Sequence, residues 1–346
     1  MIGTGMGLVN VPSLLIVGIY FKRKLNLAHG LVMIGSCTGQ LIFVTLFAYL
    51  NTTYGWRGTL LILAGLSANV MVCGAVFRPL KKPPSRTWTN YSDNAEVELG
   101  AAGPYGKKPN NVSLEESDVP DYKDFHDNEK ISKRSFDALK HLGTVSAINI
   151  CITIPMLALY QICTFLVGAA IFIPLVHLVN KAVISGTSKE NAAMLATIIG
   201  AGNILSRGGY GWFVDNGYIS AHTLFLIATL FCAVETMTFV LTDIYSILAV
   251  LCFLYGIHFG ILAALSFIIP RLLVTQEQVP PVIGLTYFVH SMGNVTGSVL
   301  AGWLYDITGS YTSSFVTCAG IYALAAIFFL PIYCFLSKQH NLDQSN

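Results

Sequence analysis

The stretch YFKRKLNLAHGLVMIG, Tyr20–Gly35, closes one apolar run and opens the next. Residues 2–21 before it and 28–50 after it are almost continuously apolar. Each has the roughly 20-residue length that an α-helix needs to cross a bilayer. Between them stand three consecutive cations, Lys22, Arg23 and Lys24. Cations at such a junction anchor at the headgroups, and small residues such as Gly30 and Gly35 let the next helix pack closely. The stretch therefore reads as an elbow between two membrane helices.

Working outward, seven further runs have the same character: 58–77, 155–179, 192–213, 221–241, 245–269, 282–304 and 313–336. No ten-residue alternating strands occur, and every backbone polar group in lipid must be bonded internally, so helices are expected rather than a barrel. Composition agrees. The 346 residues are 54% hydrophobic and 11% charged, against about 25% charged in soluble domains. Residues 81–143 alone hold ten basic and eleven acidic residues, 21 of the chain's 38 charges. The predicted organisation is a partial N-terminal bundle of three spans (1–78), a polar loop (79–143), a six-helix bundle (144–337) and a short tail (338–346). The loop is rich in Pro, Asn, Ser and mixed charge, the composition of a disordered linker.

Basic residues orient the chain. With the N-terminus outside, one side collects Lys22, Arg23, Lys24, Arg78, Lys81, Lys82, Arg86, Lys133, Arg134, Lys140, Arg271 and Lys338. The other side has Arg57, Lys181 and Lys189. Twelve against three assigns the long loop and the C-terminus to the cytoplasm. Three spans, a loop and six spans is also the pattern of a two-bundle transporter lacking its first three helices. A shortened isoform or incomplete gene model is the expectation that follows.

Several chemistries find no support. A net charge of +2 offers nothing to nucleic acid. The eight cysteines lie in apolar runs without metal-knuckle or redox spacing. No G-x-x-x-x-G-K-[ST] occurs, and Gly3-x-Gly5-x-Gly7 has neither a preceding strand nor an acidic residue at ribose distance. No cofactor or metal is expected, and no catalytic pair suggests an intramembrane enzyme.

Charges inside spans are the informative exceptions, because each is costly there and marks a functional candidate. Arg207, in GAGNILSRGGYGWF (Gly200–Phe213), offers a planar fork suited to a carboxylate. From position alone it either lines a polar path or snorkels to the membrane face. Glu235 is the one carboxylate deep in a span; it is a proton-carrying candidate or a hydrogen-bonded structural group. His290, like His177 and His258, could titrate near neutrality or simply pack. Gly211-Trp212-Phe213-Val214-Asp215 and Gly302-Trp303-Leu304-Tyr305-Asp306 look like an internal repeat at helix ends. Pro155, Pro174 and Pro270 are expected at bends.

The elbow resembles the helix 4–5 junction of the monocarboxylate transporter family, solute carrier family 16, which reads Y-F-x-K-R-R-x-L-A-x-G-x-A-x-x-G. This chain is one residue off between Phe21 and the cations and has Lys24 where the family often has Arg. Gly55-Trp56-Arg57-Gly58, with Leu61 to Gly65 and Arg78-Pro79, matches the next span and its exit. The resemblance implies a major facilitator fold, all-α and polytopic, with about nine of twelve helices present. It implies that Arg207 binds a substrate carboxylate. Proton-coupled members carry Asp where this chain has Asn203, so facilitative transport, or coupling through another group, is the expectation. Phe267 aligns with a pore-lining Phe that influences substrate size, Tyr160, Phe172 and Asn203 are further cavity candidates, and Asn203 is expected to orient the carboxylate. Lys22, Arg23, Gly30, Gly35, Trp56, Arg57, Gly211, Asp215 and Asp306 fall in gating or structural motifs. The resemblance also implies a plasma-membrane carrier of small carboxylates, or of a zwitterion, with a single-span glycoprotein chaperone as a partner. The alternative is a truncated membrane protein that does not transport, or that serves as a partner subunit.

Overall fold

The computed structural model describes residues 2–21, 24–75 and 147–345. Lys22, Arg23, Arg78 and the polar loop lie outside the described residues. The chain divides into two units, residues 1–64 with 142–346, and residues 65–141. Only 65–75 of the second is described, and it is helical.

The first unit is built of helices. α1 (Ile2–Tyr20) and α2 (Leu25–Ala75) flank the elbow. The spans expected at 28–50 and 58–77 are joined without a loop. The chain redirects at Gly55 alone (φ 67°, ψ 174°), inside α2, a conformation that only glycine adopts cheaply. Then follow α3 (Ala147–Thr153), α4 (Pro155–Ile171), α5 (Ile173–Ile184), α6 (Lys189–Asp215), α7 (Ala221–Leu241) and α8 (Tyr245–Leu265). A short 3₁₀ turn (Ile269–Leu272) leads to α9 (Val279–Thr308) and α10 (Tyr311–Ser345). Ser188 and Ser220 cap α6 and α7, accepting from the backbone N–H of Asn191 and Thr223 at 3.3 and 3.4 Å. Gly309, in the left-handed region, ends α9.

The three prolines sit where the helices break. Pro155 and Pro174 occupy the first turns of α4 and α5, where the missing N–H costs nothing, and Pro270 lies in the 3₁₀ turn. The expected span 155–179 is thus two helical pieces that together run to Ile184. Such breaks free backbone carbonyls inside the membrane, which must find donors. Tyr255 donates its hydroxyl to the Ile171 carbonyl at 2.9 Å, at the break between α4 and α5. Tyr160 donates to the Ser266 carbonyl at 2.7 Å, at the end of α8. Lys181 does the same for the C-terminus of α7, donating from Nζ to the carbonyls of Phe239 and Thr242 and to Asp243 Oδ1, at 2.6, 3.2 and 2.9 Å.

The tightest helix pairs are α6 with α8 and α4 with α9. A Cβ on Gly202 would meet the Phe253 carbonyl, and one on Gly256 would meet the Ile199 carbonyl. Two glycines facing each other's backbones bring α6 and α8 into direct contact, the small-residue packing of membrane helices. Part of the core is aromatic. Phe225 and Phe329 pack with ring centroids 4.6 Å apart, beside Tyr160.

Five helical segments are long and apolar enough to cross a membrane: Tyr49–Gly74, Pro155–Ile184, Ala221–Leu241, Tyr245–Leu265 and Tyr311–Gln339. The protein is a multi-pass membrane protein. The other long helices, α1, α6, α9 and the first half of α2, carry the polar residues that gather around one cavity.

Candidate functional site

Arg207 lies on α6, eight residues before its C-terminus, and is only 8% exposed. Its Nε donates to Asn203 Oδ1, one turn earlier, at 2.7 Å. Its Nη1 donates to the Met33 carbonyl on α2 at 3.3 Å. Cys37, one turn further along α2, directs its thiol at the same Asn203 oxygen at 3.6 Å. Both of these partners of the guanidinium are neutral. Among the described residues, no carboxylate lies within ion-pair distance of it.

The guanidinium lines a cavity of about 480 Å³, within the range of about 300–1,000 Å³ typical of small-molecule sites. α1 contributes Asn10, Ser13 and Leu14, and α2 contributes Val32, Met33 and Ser36. Ile171 and Phe172 come from the broken segment between α4 and α5. Phe259 and Ala263 belong to α8, and Phe267 lies just beyond it. Tyr287, His290, Ser291 and Asn294 form the α9 wall. The Phe267 ring stacks on Tyr287 at 3.8 Å and meets His290 edge-on at 5.5 Å. Among the described residues, the lining contains one charged side chain, Arg207, and no acidic one.

One end of the cavity is closed by contacts between α1–α2 and the later helices. Asp215, the last residue of α6, accepts from the Leu27 N–H at 2.8 Å and from Asn26 Nδ2 at 2.7 Å. It also accepts a longer bond, 3.4 Å, from the Asn26 N–H. A carboxylate thus caps the N-terminus of α2, where unpaired N–H groups and the helix dipole favour negative charge. His29 Nδ1 and the Tyr210 hydroxyl are 3.1 Å apart in a buried contact. Arg271 donates from Nη2 to the Leu14 carbonyl at 3.0 Å and lies over Gly18. Gly30 and Gly211 permit the closeness: a Cβ on Gly30 would meet the Arg207 carbonyl, and one on Gly211 would meet the backbone of Asn26 and Leu27.

The pattern of the Major Facilitator Superfamily matches residues 1–216 and 157–344, which together span nearly the whole chain. The chain belongs to the major facilitator superfamily. Within that superfamily it is related to the monocarboxylate transporters. It is 29% identical over 341 residues to monocarboxylate transporter 3 of Gallus gallus, covering 97% of this chain and 60% of the relative. Identity is 26% over 367 residues with monocarboxylate transporter 14 of Homo sapiens, covering 96% and 70%. It is 27% over 323 residues with monocarboxylate transporter 13 of Rattus norvegicus, covering 93% and 63%. The chain thus spans 60% to 70% of the length of these relatives. The crystal structure of the human organic anion transporter MFSD10 (TETRAN) is similar with a TM-score of 0.60, covering 92% of this chain and 67% of that one. Its sequence identity of 14% makes this a likeness of fold alone.

In this facilitator chain the other expected site residues divide. Phe172, Phe267 and His290 line the cavity with Arg207. Asn203 does not; it is buried behind Arg207 and holds the guanidinium in place. Tyr160 is not among the cavity residues. It is 0% exposed inside the aromatic core, with its hydroxyl committed to Ser266, because its face of α4 turns away from the cavity. Glu235 is also away from the cavity lining. Its Oε1 is 2.8 Å from His258 Nδ1 on α8, beneath the stacked ring of Phe231. Asp306 is exposed on the last turn of α9, and a Cβ on Gly35 would meet open space. Trp56 is exposed, with Arg57 over its ring at 5.1 Å. Lys22 and Arg23 lie outside the described residues.

Residues that sequence reasoning missed include Asn10, Ser13, Ser36, Tyr287, Ser291 and Asn294. A signal existed for the last three with His290. Polar residues at positions 287, 290, 291 and 294 share one helical face in an otherwise apolar run.

Proposed function

We propose that this protein carries small carboxylate-bearing solutes across a membrane by alternating access, with Arg207 receiving the carboxylate. The observation that supports this most is the buried guanidinium at a cavity wall with only neutral partners. An arginine in a span costs roughly 2.5–3.5 kcal/mol on insertion scales. Its Nη2 group and the second Nη1 hydrogen remain to meet an anion, and a planar fork matches a carboxylate in two parallel bonds. Asn203 aligns the fork without neutralising it.

The relatives' names point the same way, since they are monocarboxylate transporters. The carrier has a facilitator arrangement, about nine of whose twelve helices lie in this chain. The end closed by Asp215 faces the cytoplasm, as the basic residues indicate, and the protein resides in the plasma membrane. Release of the Asp215, His29 and Arg271 contacts would open the cavity to that side. Asn203 cannot ionise, so no proton passes through an Asp–Arg pair at this site, and transport is facilitative.

Uptake of a labelled short-chain carboxylate into proteoliposomes tests the reading. The expected result is saturable uptake that varies little between about pH 5 and 8, where a His or a perturbed carboxylate would titrate. Arg207→Gln should reduce it at least about tenfold, the equivalent of about 1.4 kcal/mol. Uptake that survives Arg207→Gln unchanged would sink the assignment.

A further inference from the structure

A second cavity, of about 380 Å³, adjoins the first at its closed end. This volume too is within the small-molecule range. Arg271 lines it, with Asn26, Ser220, His222 and Gln339 as the other polar residues and, among the described residues, no acidic one. Cations at membrane ends ordinarily extend towards headgroups and water. Arg271 turns inward instead. Its Nη2 donates to the Leu14 carbonyl at 3.0 Å, and a Cβ on Gly18 would meet its Nη1. The side chain is half-buried, and among the described residues no carboxylate lies within ion-pair distance of it. Its guanidinium is therefore neither fully hydrated nor neutralised, and it has more donors than one carbonyl can use. Leu14 lines the Arg207 cavity, so Arg271 touches a wall of one cavity while lining the other. Consecutive residues divide in the same way, Phe267 lining the first and Ile268 the second.

We propose that Arg271 is a second carboxylate-binding station. It receives the solute's carboxylate in the outer cavity as the solute leaves Arg207, and captures it first when the solute enters from the side bearing Asp215. Opening of that end breaks the Arg271–Leu14 bond and frees the fork. A carboxylate then replaces the neutral carbonyl as acceptor and gains charge-assisted, parallel bonds. The two arginines thus stand on either side of the contact that an anion must cross. This rests on the carrier reading, in which carboxylates pass through this end of the molecule.

The test measures KM for a labelled short-chain carboxylate from each side separately, in proteoliposomes sorted by orientation. Arg271→Gln should raise KM on the Asp215 side about tenfold, the scale of one lost charge-assisted bond. KM on the opposite side should stay within about twofold, which also shows that the variant is folded. Arg271→Lys, which keeps the charge without the fork, should give an intermediate KM. A purely gating Arg271 predicts the opposite sign: its loss would populate the form open to the Asp215 side and lower KM there, as Asp215→Asn should. A fall or no change in that KM with Arg271→Gln therefore overturns the station. The assay is run in vesicles of neutral lipid and in vesicles containing anionic lipid, and the rise should be the same in both. A rise confined to anionic vesicles overturns the proposal in favour of a lipid headgroup phosphate on Arg271. If Arg207→Gln leaves uptake intact while Arg271→Gln still raises KM on the Asp215 side, the clamp fails and the station stands.

Discussion

Replacing Asp215 by Asn should loosen the closed end of the cavity by a predictable amount. The carboxylate accepts short bonds from Asn26 Nδ2 and the Leu27 N–H, at 2.7 and 2.8 Å, and a weaker one from the Asn26 N–H. An asparagine keeps one accepting oxygen and turns an NH₂ towards the remaining donors. At least one charge-assisted bond is lost, worth about 1.5–3 kcal/mol, together with up to about 1 kcal/mol of charge–dipole attraction. Asp215 is half-buried, so solvent competes and the lower end applies, about 2 kcal/mol. That is about a thirtyfold shift from closed to open. Cys37 provides a native reporter, half-buried on α2 beside Asn203. In a background with the exposed Cys73 and Cys334 changed to Ser, alkylation of Cys37 from the side bearing Asp215 should accelerate by about that factor. An unchanged or slower rate in a correctly folded Asp215→Asn protein would refute the gating role.

Three other outcomes follow from the geometry. Asn203→Asp places a carboxylate where Oδ1 now lies 2.7 Å from Arg207 Nε; uptake at neutral pH should fall several-fold and recover on acidification, which a pH series of initial rates would reveal. Gly256→Val forces a side chain against the Ile199 carbonyl and should cost about 1–3 kcal/mol by overpacking, read as a lower Tm in detergent. The hydrogen bonds from Lys181 and then Ser185 hold the Asp243 carboxyl below its ordinary value of 3.8. A depressed carboxylate stabilises above the unfolded pKa and loses that contribution as pH falls through the folded one. Tm should therefore drop below about pH 4, and Lys181→Met should remove that part of the drop while lowering Tm at neutral pH.

Asp215 was singled out in the sequence by its motif at a helix end, and Arg207 stood out because a charge in an apolar run is set against its cost. The elbow was legible for the same reason, and the prolines at 155, 174 and 270 marked real helix breaks. What satisfies those breaks was not readable, since Tyr255 and Tyr160 reach carbonyls 84 and 106 residues away. The same limit explains Tyr160: a residue type and a span do not say which face meets the cavity. For Glu235 the sequence left a proton carrier and a hydrogen-bonded group side by side, because its partner, His258, reaches it from the neighbouring helix. The α9 wall was missed because each of its residues taken alone reads as packing, and only their shared helical face joins them. Asn203 was expected to orient the substrate carboxylate, whereas in the structure its Oδ1 accepts from Arg207.

The most direct measurement compares a carboxylic acid with its isosteric primary amide as competitors of labelled-acid uptake, in the unmodified protein and in Arg207→Lys. If Arg207 clamps a carboxylate in two bonds, the acid should compete at least about tenfold better than the amide in the unmodified protein. Lysine, a point charge without the fork, should keep only part of that advantage. Equal competition by acid and amide in the unmodified protein would contradict the account.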